Sequence, residues 1–183
     1  MTTCMEKATH QWEPVVRFTV HGLPGPQGSK RGFANKKTGA VMMVESSKKV
    51  KPWRSSVAGE AVAARLQLKP DVRDLLFDGT LAVSFTFLFS RPKSHYRTGK
   101  NAGVLRPDAP YYVTSKAAGD VDKLQRSTFD ALTGILYRDD SQIAGIMGPS
   151  FKVYCNQGEL PGMVIQVLLW APKSLNHIRE VIL

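Results

Sequence analysis

Between Gly119 and Ile143 the chain reads Gly-Asp-Val-Asp-Lys-Leu-Gln-Arg-Ser-Thr-Phe-Asp-Ala-Leu-Thr-Gly-Ile-Leu-Tyr-Arg-Asp-Asp-Ser-Gln-Ile. Asp120, Asp122, Asp130, Asp139 and Asp140 gather a third of the chain's 15 acids into this stretch. Clustered carboxylates repel one another, and a divalent cation relieves the repulsion most simply. Their hard oxygens suit Mg2+, with Mn2+ as a substitute, so Asp120, Asp122, Asp139 and Asp140 are the candidate metal ligands. Such an ion can neutralise a scissile phosphate and prepare a water for in-line attack on a phosphodiester. Each half of the motif also has a plain reading. Aspartate favours helix N-caps and first turns, which covers Asp120 and Asp122, and it favours turns, which covers Asp139-Asp140. Other chemistries lack their residues: there is no His-Cys grouping for zinc, no phosphate-cradling Gly-rich loop and no Gly-x-Ser-x-Gly elbow.

The rest of the chain is basic. Its 183 residues carry 25 Lys and Arg, a formal charge of +10 and a pI near 9.8. That surplus favours a polyanion such as nucleic acid, because every phosphate contact releases condensed counterions. The charge is concentrated in two stretches. Lys30, Arg31, Lys36, Lys37, Lys48, Lys49, Lys51 and Arg54 face only Glu45, and Arg91, Lys93, Arg97, Lys100, Arg106 and Lys116 face only Asp108. We take Lys30, Arg31, Lys36, Lys37, Lys51, Arg54, Arg91, Lys93, Arg97 and Lys123 as candidate DNA contacts.

The elements that must hold these residues follow from periodicity. Residues 1–13 read as a flexible tail and 14–183 as one domain. Val15–His21, Val41–Val44 and Leu81–Phe89 are strand candidates, as are Gln142–Tyr154 and Met163–Trp170. A helix is expected over Pro52–Leu66, capped by Ser46 or Ser47, and a second over Asp120–Leu136. Gly22–Gly32 is a turn-rich loop, and residues 91–118 form a long loop of the kind that is usually functional. The order implies an α+β fold, with one mixed or antiparallel sheet and two main helices packed on it. The longest apolar runs are too short to span a membrane, no signal-peptide core is present, and Cys4 and Cys155 make no obvious pair. A reduced, cytoplasmic protein is expected.

Asp-Val-Asp-Lys-Leu-Gln-Arg, Phe-Asp-Ala-Leu-Thr-Gly and Asp-Asp-Ser-Gln-Ile closely resemble the signature of RusA-type crossover junction endodeoxyribonucleases. Gly-Pro-Gln-Gly-Ser-Lys-Arg, Lys51-Pro-Trp-Arg54 and Phe89-Ser-Arg-Pro-Lys-Ser-His95 resemble the phage and prophage branch of that family, so the likeness runs from about Val15 to Trp170. It implies a homodimer that binds branched DNA in a bacterial or phage-infected cell and resolves four-way (Holliday) junctions by two opposed Mg2+-dependent cuts. By position, Asp120, Asp122 and Asp140 match the family's catalytic acids and Asp139 its accompanying aspartate. Arg126 stands where the family usually has a functional lysine, and Lys123 where it has asparagine. Arginine keeps the charge but cannot donate a proton near neutrality, which leaves phosphate contact or charge stabilisation for Arg126. Two other readings stay open. One is a non-catalytic, basic, dimeric DNA-binding module; the other is a metal-dependent nuclease for flaps or forks.

Length sets a further expectation. A straight helix from Asp122 to Leu136 is about 21 Å long at 1.5 Å per residue, too far for one ion to join Asp122 to Asp140. Antiparallel subunits would then share each active site between them; the alternative is a shorter helix that folds back. Asp130 is expected to pair with Arg126 at i, i+4. Trp53 is read as core rather than a base-stacking platform, His95 as a DNA contact or a solvated residue. Tyr96, Tyr111 and Tyr112 would stack on bases or pin the loop.

Overall fold

The computed structural model describes residues 10–28, 30–35, 38–45 and 47–172. Strand β1 (His10–His21) opens the fold, so residues 10–13 lie in a strand rather than in the expected tail. It is followed by β2 (Lys30–Ala34), β3 (Val41–Glu45), α1 (Val50–Leu66), the short α2 (Pro70–Arg73) and β4 (Leu81–Phe89). Then come α3 (Val121–Leu132), β5 (Ile143–Ile146), β6 (Phe151–Tyr154) and β7 (Gly162–Pro172). The main sheet has five strands in the order β1-β7-β4-β5, with β6 also paired to β4. β7 is antiparallel to both β1 and β4, whereas β5 and β6 run parallel to β4. The sheet is mixed and the class α+β, as the element order implies.

Both main helices cover one sheet face. Val57 and Ala61 of α1 and Leu124, Ala131 and Leu132 of α3 meet Val83, Phe85 and Phe87 of β4 and Ile165 and Val167 of β7 in one core. Trp53 is 1% exposed there, and its indole N–H donates to the Thr128 hydroxyl at 3.4 Å, so it is a core residue.

Four expectations change in detail. β2 lies within what reads as loop and pairs with β3 in a separate two-stranded sheet. The β5–β6 segment, expected as one strand, is interrupted where Gly148 takes φ +71°. Helix α1 is preceded by Lys49 without a side-chain cap; the Ser47 carbonyl accepts from Val50, and Ser46 lies outside the described residues. The largest change is at α3, which stops at Leu132 instead of Leu136. Thr133 leaves the helical region at ψ 129° and Gly134 takes φ +78°, which L side chains rarely adopt. Ile135 and Leu136 nevertheless return to the core, which is why the apolar periodicity runs on through the turn.

Candidate active site

Asp122, Arg126 and Asp130 recur every four residues and so share the face of α3 opposite its buried stripe. Because α3 ends early, the chain folds back beside it. Phe77 N–H donates to the Leu136 carbonyl at 2.7 Å, and Tyr137 forms a parallel bridge to Phe77. A 3-10 turn at Asp140–Gln142 follows. The result is a cleft of about 520 Å3 lined by Gln27, Gly28, Asp122, Lys123, Arg126, Asp130 and Asp140 of one chain. The fold-back alternative is therefore the observed one. The straight-helix premise for active sites shared between subunits does not hold.

Gln142 fixes the returning segment. Its side-chain oxygen accepts from the backbone N–H of Arg138 (2.9 Å) and Asp139 (3.2 Å), while its amide donates to the carbonyls of Phe77 (3.1 Å) and Gly79 (3.2 Å). Asp139 completes the turn as its cap, accepting from Ser141 N–H at 2.9 Å. Hydrogen bonds from Ser141 hold the Asp139 carboxyl below the ordinary range. A depressed carboxylate contributes stability at neutral pH that is lost as pH falls through its folded value. Gln142→Ala removes all four bonds, so it should lower stability by about 1–2 kcal/mol in urea unfolding. An unchanged urea midpoint would show that the turn does not depend on Gln142.

The other predicted ligands are placed differently. Asp120 occupies the N-cap position of α3 without a side-chain capping bond and is not among the residues lining the cleft. Its carboxylate lies 2.8 Å from the Lys123 ammonium, and this bond together with the charge holds its carboxyl low and raises Lys123. Asp130 pairs not with Arg126 but with Arg54 of α1, and accepts from Gln27 Nε2 at 3.3 Å. Among the described residues Arg126 makes no ion pair, and it lines the cleft together with Asp122, Asp130 and Asp140. Among them also, no three Asp, Glu, His or Cys side chains are close enough to hold a metal ion unaided. The donor set still fits a hard cation. Mg2+ is commonly held by one or two carboxylates, with waters and substrate phosphate filling its octahedron, and the cleft supplies carboxylate oxygens without His or Cys.

The candidate DNA contacts also divide. Lys51 is exposed; Arg54 is committed to Asp130. Arg91 ties the long loop down, donating to the carbonyls of Cys155 (2.9 Å) and Pro110 (2.8 Å) while lying over the Tyr154 ring. Lys93 and Arg97 line a second cavity of the same loop with Tyr96. Lys36 and Lys37, and the side chains of Lys30 and Arg31, lie outside the described residues, as do residues 1–9 and 173–183. His95 packs edge-on against Tyr154 at 4.7 Å, and Tyr111 against Tyr112 at 5.1 Å. The first pair joins the loop to β6, and the second lies within the loop.

Two residues escape the sequence reading. Lys152 of β6 donates to the Gly119 carbonyl at 2.6 Å, just ahead of Asp120. Gln27 reaches the cleft from the loop after β1. A lone lysine in a strand and a glutamine in a Gly-Pro-rich loop carry no signal without tertiary structure.

A family model described as endodeoxyribonuclease RusA matches residues 24–167, which include every residue lining the cleft. An uncharacterized protein of Bacillus subtilis (strain 168), YqaN, is 29% identical over 157 residues, covering 83% of this chain and 96% of that protein.

Proposed function

Since the chain belongs to the RusA family of endodeoxyribonucleases, and is thus a phosphodiester hydrolase, we propose that it resolves four-way DNA junctions by Mg2+-dependent paired cuts. The observation that carries this reading is the single-chain cleft, which gathers Asp122 and Asp140 with the cations Arg126 and Lys123 on a strongly basic protein. Asp122 and Asp140 would hold the ion, and Asp120 would join them when Lys123 turns from it to a substrate phosphate. A bound Mg2+ supplies charge neutralisation at the phosphate and a water of lowered pKa. Arg126 binds a non-bridging phosphate oxygen and balances the charge that grows on it. Asp130 keeps Arg54 at the rim, where its remaining N–H groups can meet the backbone of the DNA.

A two-fold substrate cut on opposed strands suits a homodimer, each subunit carrying one complete site. Lys51, Lys93 and Arg97, with the basic β2–β3 hairpin, would bind flanking duplex arms. No described helix is long and apolar enough to cross a membrane, and the proposed work on DNA would be done in the cytoplasm.

The deciding experiment compares cleavage of junction, fork, flap and linear duplex, each with Mg2+ and with chelator. Mg2+-dependent cutting strongest on the four-way junction is expected. Equal cutting of forks or flaps would replace the junction reading, and cutting unaffected by chelation would remove the metal. Arg126→Ala is expected to slow junction cleavage about a hundredfold, the scale for losing one preorganised donor to a developing anion, with junction binding weakened only modestly. If binding fell in proportion while the rate at saturation stayed constant, Arg126 would be a DNA anchor instead.

A further inference from the structure

Gln27 is held in the cleft by a loop with little freedom to leave it. Its backbone N–H donates to the Lys123 carbonyl at 3.0 Å, and the Ser127 hydroxyl donates to the Gly25 carbonyl at 2.6 Å. Pro26 lies so close to Gly119 that a Cβ at Gly119 would overlap its ring, and a Cβ at Gly25 would strike the Lys49 backbone. One hydrogen bond orients the side-chain amide. Its Nε2 donates to Asp130 Oδ2 at 3.3 Å; reversing the amide would set two oxygens against each other. That leaves Gln27 Oε1 buried with no hydrogen-bond donor among the described residues.

A buried acceptor without a partner is costly, and a bound water or ion is one of the ways proteins satisfy it. The same cleft is short of ligands. It holds carboxylates, yet among the described residues no three acidic, His or Cys side chains are close enough to hold a metal ion. A neutral amide oxygen is a hard ligand of the kind Mg2+ and Ca2+ accept, and it adds no charge to the repulsion among the aspartates. We propose that Gln27 Oε1 belongs to the coordination shell of the divalent cation, bound to it directly or through one of its waters. The proposal rests on the metal-dependent reading of the cleft given above. Its rival is internal. Among the described residues Arg54 Nε is also buried without a partner, and Arg54 and Gln27 hold the same Asp130, so a rotation could pair the two orphaned atoms.

Mn2+ binding to the DNA-free protein separates the two, measured by calorimetry and by the loss of the free-ion electron paramagnetic resonance signal. Gln27→Met keeps the length of the side chain and removes its polar atoms. It should weaken Mn2+ binding about tenfold, the lower end of what supporting residues contribute to metal affinity. Gln27→Glu retains an oxygen there and should bind Mn2+ at least as tightly as the wild type, which also guards against a folding defect in the first variant. Gln27→Met with wild-type Mn2+ affinity would overturn the proposal, and a lowered melting temperature alongside it would assign Oε1 to Arg54. Asp122→Asn serves as the control for the site. If it loses Mn2+ while Gln27→Met does not, only this inference fails; if the wild type binds no Mn2+, the metal-dependent reading fails with it.

Discussion

Asp122→Asn and Asp140→Asn should each lower junction cleavage about a thousandfold or more, because several kcal/mol of charge stabilisation leave with the ion and each 1.36 kcal/mol is a factor of ten. The two residues come from different elements, the first turn of α3 and the 3-10 turn after the fold-back, yet they line one cleft. Neither is engaged in an ion pair among the described residues, so their charge is available to a cation. Asparagine keeps the shape and removes that charge. Junction affinity should hold or rise in Ca2+, since a negative group facing phosphate disappears. Asp139→Asn should be far milder, because Asp139 caps the turn from outside the cleft. The measurements are single-turnover nicking at saturating enzyme and gel-shift titration in Ca2+. Near-normal cleavage by either Asp122→Asn or Asp140→Asn would remove the metal site from this cleft.

How much of this could be read in advance depended on what kind of signal each element carries. β4 was legible to the residue, because Leu81–Phe89 is a nearly unbroken apolar run and the strand is covered on both sides. The core stripe of α3 was equally clear in Leu124, Thr128, Ala131 and Leu132. Its end was not, because Ile135 and Leu136 return to the same core after the Thr133–Gly134 turn and so extend the pattern past the helix. Here the backbone punctuation of Gly134 outweighed a periodicity that tertiary packing had prolonged. β2 was hidden for another reason: Lys-Arg-Gly-Phe-Ala has little strand propensity, and it is paired only with β3.

The site divides along the same line. The candidate aspartates were legible locally, in spacings that recur as motif. Their partners were not, because pairing is decided across elements. Arg54 and Asp130 are 76 residues apart, and the i, i+4 rule pointed Asp130 to Arg126 instead. α1 packs against α3 closely enough to bring Arg54 within reach, and that leaves Arg126 free to face the cleft. The basic loop shows the converse. Arg91 reads as a phosphate contact by type, and its Nε and Nη1 donate to backbone carbonyls 64 and 19 residues away.

Chains carrying Asp122→Asn and chains carrying Asp140→Asn should stay inactive when mixed and allowed to exchange subunits. The expectation follows from the short helix. With α3 ending at Leu132 and Tyr137 bridged back to Phe77, Asp140 lines the cleft of its own chain beside Asp122. A heterodimer of the two variants then has one lesion in each site, and neither site can cut. Had α3 run straight to Leu136, the about 21 Å between the two ends would have required a partner's aspartates, and one site of the heterodimer would have regained both. Mixing therefore tests the turn at Thr133–Gly134 as directly as it tests catalysis. Heterodimers are confirmed by mass, and nicking of a four-way junction labelled on one strand at a time gives the readout. Recovery of single-strand nicking toward half the wild-type rate would mean that assembly draws Asp140 out of its own cleft and into a neighbour's, overriding the geometry of the single chain. Continued silence, with wild-type and mutant heterodimers cutting one strand, would leave each subunit a complete nuclease that is coupled to its partner only through the shape of the DNA.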